Sequence, residues 1–538
     1  MPSGRGEPAR TVDRSPERSV TDPTRDHALD HLVVLMFENR SFDNLLGYLY
    51  DPGEVASFEG VAGRQLSNPL PAELANAGPR SVPVHPALSM DLPDPNPGEE
   101  FPHVNTQMFS TVDPPGNASA SIDRMQPPFN APSDPNRVAT MDGFVADYVR
   151  EYRQQLDRLP TVEQCSQIMA CYPRDRVPVL STLARGFAVF DHWFCEAPTE
   201  TYPNRSFLHA ASSSGFVLNH PPGKFEAEND APTVFERLEA AQRSWHVYID
   251  PAQIVPATAL IHARRLAPYF ADHFSTLFDF EDDAREGRLP EYSFLEPNMF
   301  LPHSDMHPPG AARFRERIHA PPPEAMLRGE QLLARVYGPV RGATTAAGSN
   351  WANTLLLVLF DEHGGTYDHV PPPSVPPPGD TERAEMGFDF ARSGLRVPAV
   401  AVSPWIDAGT VVTSEFRHTS VIRTLRNRWG LGPPLTARDA TAADLAPVLT
   451  RSTPRVPDSW PVVAPMRPSL LDRAEEILDR PLSRLERDLL GEALSLEATR
   501  TGHVPAADPE VVGRREARGH LTRIQAAYFP GVARGRST

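Results

Sequence analysis

The sequence His31-Leu-Val-Val-Leu-Met-Phe37 is an unbroken apolar run that ends abruptly at the polar segment Glu38-Asn-Arg-Ser-Phe-Asp43. Such a run is typical of a strand that is buried on both faces of a parallel sheet. Thr354-Leu-Leu-Leu-Val-Leu-Phe360 has the same form and is followed by Asp361-Glu-His-Gly-Gly365. The two runs therefore predict two buried strands, each with polar groups at its carboxyl end.

Further strand and helix signals alternate along the chain. Segments 246–249, 292–295 and 397–402 are strand candidates, and residues 418–429 place apolar side chains on one helical face before Gly430. This alternation predicts an α/β fold with a mostly parallel sheet. Ligands in such folds bind beyond the carboxyl ends of the strands, where both acidic pairs lie.

Composition divides the chain of 538 residues, 60 of them proline, into three parts. Residues 1–26 are polar and charged, which predicts a disordered leader. Residues 27–450 contain every strand candidate and form the predicted main domain. Residues 451–538 are predicted to be a Pro-rich linker and a helical C-terminal appendage, with two amphipathic helices over 470–494 that break at Pro481.

Charge and hydropathy exclude several classes of protein. A formal net charge of −17 disfavours nucleic-acid binding and adsorption to anionic membranes, both of which need clustered Lys and Arg. The three cysteines match neither a zinc ribbon nor a disulfide framework. The first thirty residues have no apolar signal-peptide core, and no segment resembles a membrane span. We therefore expect a cytoplasmic protein, with secretion left open.

The two acidic strand ends are candidate metal ligands. Glu38-Asn39 and Asp361-Glu362 offer hard oxygen donors, which suit Ca²⁺, Mg²⁺ or Mn²⁺ and also Zn²⁺. Adjacent carboxylates at the rim of a core repel each other unless a cation neutralises them. The alternatives are a surface acid before a turn for the first pair and a helix cap for the second.

The segment Thr199-Glu-Thr-Tyr-Pro-Asn-Arg205 joins an apolar run to a helix expected to begin near Ser206. A hydroxyl at a strand-to-helix turn can act as a nucleophile if a base or metal activates it, or it can merely cap the helix. His307 and the pair Asp368-His369 are candidates for a general acid and for phosphate contacts. Each histidine alone has a structural role as its alternative.

Five motifs together resemble the phosphoesterase family, which includes bacterial phospholipases C, plant non-specific phospholipases C and an acid phosphatase branch. They stand in the family's order and span residues 31–429. The motifs are Glu38-Asn-Arg-Ser-Phe-Asp43, Thr201-Tyr-Pro-Asn-Arg205, Asp361-Glu-His-Gly-Gly-Thr-Tyr-Asp-His369, Gly394-Leu-Arg-Val-Pro398 with Ser403-Pro-Trp405, and His418-Thr-Ser-Val-Ile-Arg-Thr424.

This resemblance implies an alkaline-phosphatase-like three-layer α/β/α sandwich, with residues 27–450 as the catalytic domain. It also implies a divalent metal and a threonine nucleophile that places its oxygen on the metal. The implied metal ligands are Glu38, Asn39, Thr201, Asp361 and Glu362. The implied catalytic residues are Thr201, His307 and His103, and the implied substrate-binding residues are Asn204, Asp368, His369 and His418.

The chain departs from the family at one histidine motif, where it has Asp94-Pro-Asn-Pro-Gly-Glu-Glu-Phe-Pro-His103. Either Glu99 takes the position of the family's histidine, or His103 reaches it from one helical turn later. An imidazole can protonate a leaving alkoxide, which favours His103.

The implied reaction is a two-step hydrolysis of phospholipid diesters through a phosphothreonine intermediate. An acid phosphatase would share all of these residues and would differ only in the room for a second ester group. A sulfatase is disfavoured because its nucleophile is a modified cysteine or serine. A non-catalytic binding protein on the same fold is the remaining alternative, although no implied ligand is missing.

Overall fold

An eight-stranded sheet forms the centre of the computed structural model, which describes residues 23–75, 80–134, 137–310, 312, 324–379, 384–467, 481–505 and 507–534. The described strands are β1 (His31–Phe37), β2 (Ser67–Pro69), β3 (Ser81–Pro83), β4 (His85–Pro86), β5 (Ala170–Cys171), β6 (Ala188–Phe190), β7 (Trp193–Phe194), β8 (Trp245–Ile249), β9 (Phe274–Thr276), β10 (Tyr292–Glu296), β11 (Thr354–Phe360), β12 (Ala399–Val402), β13 (Thr410–Val412) and β14 (Phe416–Arg417).

The central sheet has the order β13-β6-β12-β11-β1-β10-β8-β9. Its strand pairs are parallel except the two that β12 makes with β11 and β6. Both alternating faces of β10 and β11 are buried, so both faces of the sheet are covered. The predicted α/β fold with a mostly parallel sheet is confirmed, although β12 covers only part of the predicted strand 397–402.

Helices connect the strands and cover the sheet. The described α-helices are α1 (Phe42–Leu46), α2 (Phe101–Phe109), α3 (Phe144–Leu156), α4 (Val162–Ser166), α5 (Pro178–Gly186), α6 (Thr201–Ala210), α7 (Lys224–Glu228), α8 (Val234–Ala240), α9 (Ala257–Ile261), α10 (Ala263–Leu266), α11 (Leu277–Glu286), α12 (Ala325–Gly342), α13 (Thr419–Trp429), α14 (Ala437–Ala440), α15 (Arg484–Thr501), α16 (Arg514–Tyr528) and α17 (Pro530–Arg534). Helix α13 confirms the helix predicted over 418–429, and Gly430 ends it in a left-handed conformation.

The position of β1 determines where the two acidic pairs meet. This strand lies between β10 and β11, and Phe37 at its end is opposite Phe360 at the end of β11. The backbone N–H of Asp361 then donates to the carbonyl of Phe37 at 3.1 Å. The residues after both strands therefore leave the sheet side by side, as the sequence predicts.

The C-terminal helices α15 and α16 contribute buried residues to the same hydrophobic core as the sheet. Glu492 of α15 accepts hydrogen bonds from the backbone N–H groups of Phe225 and Glu226, and Glu486 accepts one from Leu301. The helix predicted from residue 470 falls largely in 468–480, outside the described residues. Residues 1–22 of the predicted leader also lie outside them, whereas 25–27 form a 3-10 turn. None of the described helices is long and apolar enough to cross a membrane.

Candidate active site

Asn39, in the motif that follows β1, has an unusual backbone conformation. This residue has a φ of +55°, in the left-handed region that asparagine tolerates better than most residues. Its carbonyl lies against Gly364, where an added Cβ would come within 2.1 Å of that oxygen. Gly364 is therefore needed for the close approach of the two loops, and the buried Glu38 and Asn39 side chains are fixed beside the β11 loop.

Asp361 and Glu362 are held by backbone groups around them. Asp361 Oδ1 accepts hydrogen bonds from the N–H groups of Asn39 at 3.1 Å and Glu362 at 2.7 Å. His418 donates from Nε2 to the Asp361 carbonyl at 2.6 Å, and its Nδ1 accepts from Trp193 Nε1 at 3.1 Å. Both ring nitrogens of His418 are thus used by the protein, and this histidine orients the Asp361 loop. Its expected contact with substrate stays a prediction.

Arg205 connects the two acidic strand ends. Its Nε donates to Asp361 Oδ2 at 3.2 Å, and its Nη2 donates to Glu38 Oε1. All three side chains are almost fully buried. A guanidinium in this position offsets part of the negative charge that the carboxylates bring into the core.

Thr201 is the first residue of helix α6, and its hydroxyl donates to Glu38 Oε2 at 3.2 Å. The expectation that this helix begins near Ser206 is wrong. Pro203 stands in the first helical turn, where its missing N–H has no intrahelical partner to lose. Thr201 therefore presents its hydroxyl at a helix N-terminus, where the helix dipole favours an anion.

Asn204 organises the loop that precedes this helix. Its Oδ1 accepts from the N–H groups of Glu196 and Ala197, both at 2.9 Å. Its Nδ2 donates to the carbonyls of Ala197, Thr199 and Glu200. The amide binds the backbone at both ends, so Asn204 shapes the loop before α6. Its expected contact with a phosphoryl oxygen stays a prediction.

Glu99 and His103, the two candidates for the family's histidine position, have different partners in the structure. Asn39 Nδ2 donates to Glu99 Oε2 at 2.6 Å, and His307 Nε2 lies 3.8 Å from the same oxygen. His103 instead places Nδ1 2.9 Å from Asp147 Oδ1 on helix α3. Glu99 and His307 are therefore the residues that meet the acidic strand ends.

Asp368 and His369 belong to a different buried network. Arg396 donates to Asp368 Oδ1 and to Asp43 Oδ1, both at 2.9 Å, and His369 Nδ1 lies 2.6 Å from Asp43 Oδ2. Potential metal-ligating atoms of the two aspartates and the histidine lie within 4.8 Å of one another. Arg396 supplies a compensating charge, and this network joins α1 to the loop after β11. The substrate contacts expected of Asp368 and His369 stay predictions.

Burial and mutual repulsion dominate the electrostatics around Thr201. Burial and the nearby Asp361 raise the pKa of Glu38 well above its usual range, against the lowering effect of Arg205. Burial and Glu99 likewise raise the pKa of Glu362, and burial raises the pKa of Glu99 to about 7. Carboxyl groups in this state gain strongly from a nearby cation.

The donor set fits a divalent cation. Asn39 Oδ1 and Glu362 Oε1 are buried oxygens without a hydrogen-bond partner in the part of the chain that the structure describes. Such atoms are rare in protein interiors unless a ligand, ion or water satisfies them. Together with the oxygens of Glu38 and Asp361, they form the hard, carboxylate-rich set that Ca²⁺, Mg²⁺ or Mn²⁺ prefers and that Zn²⁺ also accepts.

Sequence reasoning assigned no role to Arg205 and left Glu99 as an alternative. The signal for Arg205 is its spacing of four residues from Thr201, which places both on one helical face, but it is visible only once the helix is known to begin at Thr201 and not near Ser206. Glu99 had no comparable signal, since its contact with Asn39 joins residues that are distant in sequence.

Comparison with known proteins agrees with the motifs. A family model described as "Phosphoesterase family" matches residues 29–432. Non-specific phospholipase C6 of Arabidopsis thaliana is 31% identical over 504 residues, which cover 90% of this chain and 83% of that protein. Non-specific phospholipase C3 of the same plant is 31% identical over 82% of this chain and 77% of its own length. Phospholipase C B of Mycobacterium tuberculosis is 27% identical over 80% of this chain and 79% of its own length.

Solved structures are more distant. A chain described as a protein in the alkaline phosphatase superfamily from Vibrio parahaemolyticus is 11% identical and aligns with a TM-score of 0.28. The alignment covers 51% of this chain and 63% of the other. A likeness at this level carries no argument about activity.

Proposed function

Because the chain belongs to the phosphoesterase family and is a hydrolase of phosphoester bonds, we propose that it cleaves phospholipid diesters as a phospholipase C, with Thr201 as its nucleophile. The observation that carries this proposal is the buried Thr201 hydroxyl, which is hydrogen-bonded to Glu38 at the N-terminus of α6. The diester preference is supported by relatives named phospholipase C along most of the chain.

Glu38, Asn39, Asp361 and Glu362 would hold a divalent metal together with the Thr201 hydroxyl. When bound there, the metal would lower the pKa of the hydroxyl and offset the charge that develops on the phosphoryl oxygens. The two unpartnered oxygens of Asn39 and Glu362 support this assignment.

The residues of the chain provide the remaining steps. Thr201 Oγ1 forms a bond to phosphorus while its proton passes to Glu38 Oε2, and the bond from phosphorus to the diacylglycerol oxygen breaks. The Glu99–His307 pair, which adjoins Asn39, supplies the proton that the leaving alcohol needs. Water then hydrolyses the ester on Thr201 and releases the phosphorylated head group.

The substrate class can be tested with purified protein and a panel of three substrates. We expect release of diacylglycerol from phosphatidylcholine, and a higher kcat/KM for p-nitrophenyl phosphorylcholine than for p-nitrophenyl phosphate. Each substrate is measured with Ca²⁺, Mg²⁺, Mn²⁺ and Zn²⁺ in turn. Turnover of the monoester alone would reject the phospholipase C proposal in favour of an acid phosphatase.

Metal content provides a second test. The Glu38→Gln, Asp361→Asn double variant is expected to lose most of its bound divalent metal, because two anionic ligands become neutral amides. Metal is measured by mass spectrometry of the dialysed protein, with circular dichroism to establish folding. Glu330→Gln is a matched control, since Glu330 is a buried carboxylate that binds the N–H groups of Val179 and Leu180. Stoichiometric metal in the folded double variant would contradict the assigned ligands.

A further inference from the structure

Gln107 of helix α2 connects two loops of the candidate active site. Its Nε2 donates to the carbonyl of Gly98 at 2.7 Å, and Gly98 directly precedes Glu99. Its Oε1 lies 2.8 Å from Nε2 of His363, which directly follows Glu362. The Gln107 and His363 side chains are both fully buried. One carboxamide therefore contacts both the loop that holds Glu99 and the loop that holds Glu362.

Two acceptors fix the orientation of this carboxamide. Besides the Gly98 carbonyl, Gln107 Nε2 contacts Asp147 Oδ2 on helix α3 at 2.9 Å. Arg150 Nη2 donates to the other oxygen of Asp147 at 2.5 Å, which favours the ionised carboxylate. A carbonyl and a carboxylate only accept hydrogen bonds, so the reverse orientation would place Gln107 Oε1 against two acceptors. The oxygen of the amide therefore faces His363.

The amide orientation in turn fixes the tautomer of His363. The neutral imidazole, which burial favours, has one N–H group. Because Gln107 Oε1 accepts and cannot donate, this hydrogen is on Nε2 of His363. The other ring nitrogen, Nδ1, then carries a lone pair, and it has no hydrogen-bond partner in the described part of the chain.

The Glu362 carboxylate lies beside this lone pair. Its Oε2 accepts from the N–H of Gly364 at 2.6 Å and lies 3.3 Å from His363 Nδ1. Its Oε1 has no hydrogen-bond partner among the residues that the structure describes. Two buried groups that only accept are therefore adjacent with no donor between them, an arrangement that a positive charge stabilises.

We propose that Gln107 is a positioning residue for the divalent cation: it holds His363 in the Nε2–H tautomer, so that Nδ1 directs a lone pair and not a hydrogen at Glu362. The lone pair raises the free energy of the empty carboxylate site, and a bound cation relieves that repulsion. A hydrogen on Nδ1 would instead stabilise the empty carboxylate and weaken its attraction for the cation. This inference rests on the proposed function, which assigns Glu362 to the metal.

The tautomer can be measured in the unmodified protein without metal. Protein labelled with ¹⁵N-histidine is expected to give different signals for the two ring nitrogens of His363, with the hydrogen on Nε2. These signals are identified by their absence from the spectrum of His363→Gln. A hydrogen on Nδ1 would overturn the inference without any substitution at Gln107.

Two substitutions of Gln107 separate its acceptor from its donors. Gln107→Leu removes the acceptor for His363, so the hydrogen should move to Nδ1 and the Kd for Mn²⁺ should rise by roughly tenfold or more, the scale for residues that orient metal ligands. Gln107→Glu keeps an acceptor and loses both amide donors, so it should keep the tautomer and a Kd nearer that of the unmodified protein.

Gln525→Leu is the control, since Gln525 is a buried glutamine of α16 whose Nε2 donates to the carbonyl of Ile254 at 2.6 Å. This substitution also removes a buried carboxamide, but it should leave the Kd for Mn²⁺ unchanged. Binding is measured by isothermal titration calorimetry, with circular dichroism to establish that each variant is folded.

The outcomes separate this inference from the proposed function. An unchanged Kd in folded Gln107→Leu, or equal losses of affinity in Gln107→Leu and Gln107→Glu, would overturn the positioning role and leave the metal ligands in place. If Gln107→Leu does not fold, the tautomer of the unmodified protein decides. Absence of Mn²⁺ binding by the unmodified protein would contradict the metal assignment itself, and the role of Gln107 would fall with it.

Discussion

Thr201→Ala is expected to lower kcat/KM by roughly 10⁴-fold or more, the scale on which enzymes respond to loss of a catalytic nucleophile. The substitution removes the hydroxyl that donates to Glu38 Oε2 and leaves no oxygen to form the ester with phosphorus. Rapid acid quench during turnover, followed by peptide mass spectrometry, should find the phosphoryl adduct on residue 201 of the unmodified protein and none in the variant. Circular dichroism should show that the variant is folded.

Thr199 provides the matched control, because it lies on the same loop and its hydroxyl donates to the carbonyl of Val217. Thr199→Val should lower the free energy of unfolding by about 1 kcal/mol, the usual contribution of a hydrogen bond, and should leave the adduct on Thr201. Near-normal turnover by Thr201→Ala would show that water, and not threonine, attacks phosphorus.

Arg396→Met is expected to reduce the free energy of unfolding by about 3–5 kcal/mol, the cost of removing one partner from a buried ion pair. Arg396 binds Asp43 and Asp368, and it also donates to the carbonyls of Glu59 and Asp191, both at 2.8 Å. The methionine would fill much of the same volume but would leave two buried carboxylates without their cation. Urea unfolding followed by circular dichroism measures the change.

Arg153→Met is the control for this second variant. Arg153 pairs with Glu73 at 3.1 Å, but the two side chains are 53% and 42% exposed. An exposed pair contributes at most about 1 kcal/mol, so the unfolding midpoint should shift little. Equal shifts for Arg153→Met and Arg396→Met would show that the buried network does not stabilise the fold as its contacts indicate.

The sequence was sufficient to predict the two central strands and the acidic pairs after them. Each strand is an apolar run of six or seven residues, which is long enough to show that the strand is buried on both faces. Parallel strands place their carboxyl ends at the same edge of the sheet, so the acidic pairs that follow them lie close together. The family motif likewise predicts Thr201 as the nucleophile, and the Thr201 hydroxyl lies beside Glu38. These features depend on local pattern and on a simple rule of sheet geometry.

The partners of individual polar side chains could not be predicted in the same way. Asp43 and His369 are 326 residues apart, and nothing local to either one indicates that they share a hydrogen bond. The presence of asparagine at position 204 does not indicate whether its amide faces a substrate or the backbone. The sequence predicts a start of α6 near Ser206, whereas the helix begins at Thr201 and contains Pro203 in its first turn.

The central position of β1 also has a consequence for biosynthesis. Both neighbours of this strand, β10 and β11, come from residues beyond 290, so its backbone has no sheet partner while the intervening chain is made. At about 5–20 residues per second, a ribosome needs on the order of tens of seconds to cover that interval. During this time the apolar run 31–37 is available to chaperones or to other nascent chains. Among the described strands, β1 therefore waits longest after its own synthesis for its sheet partners to be made.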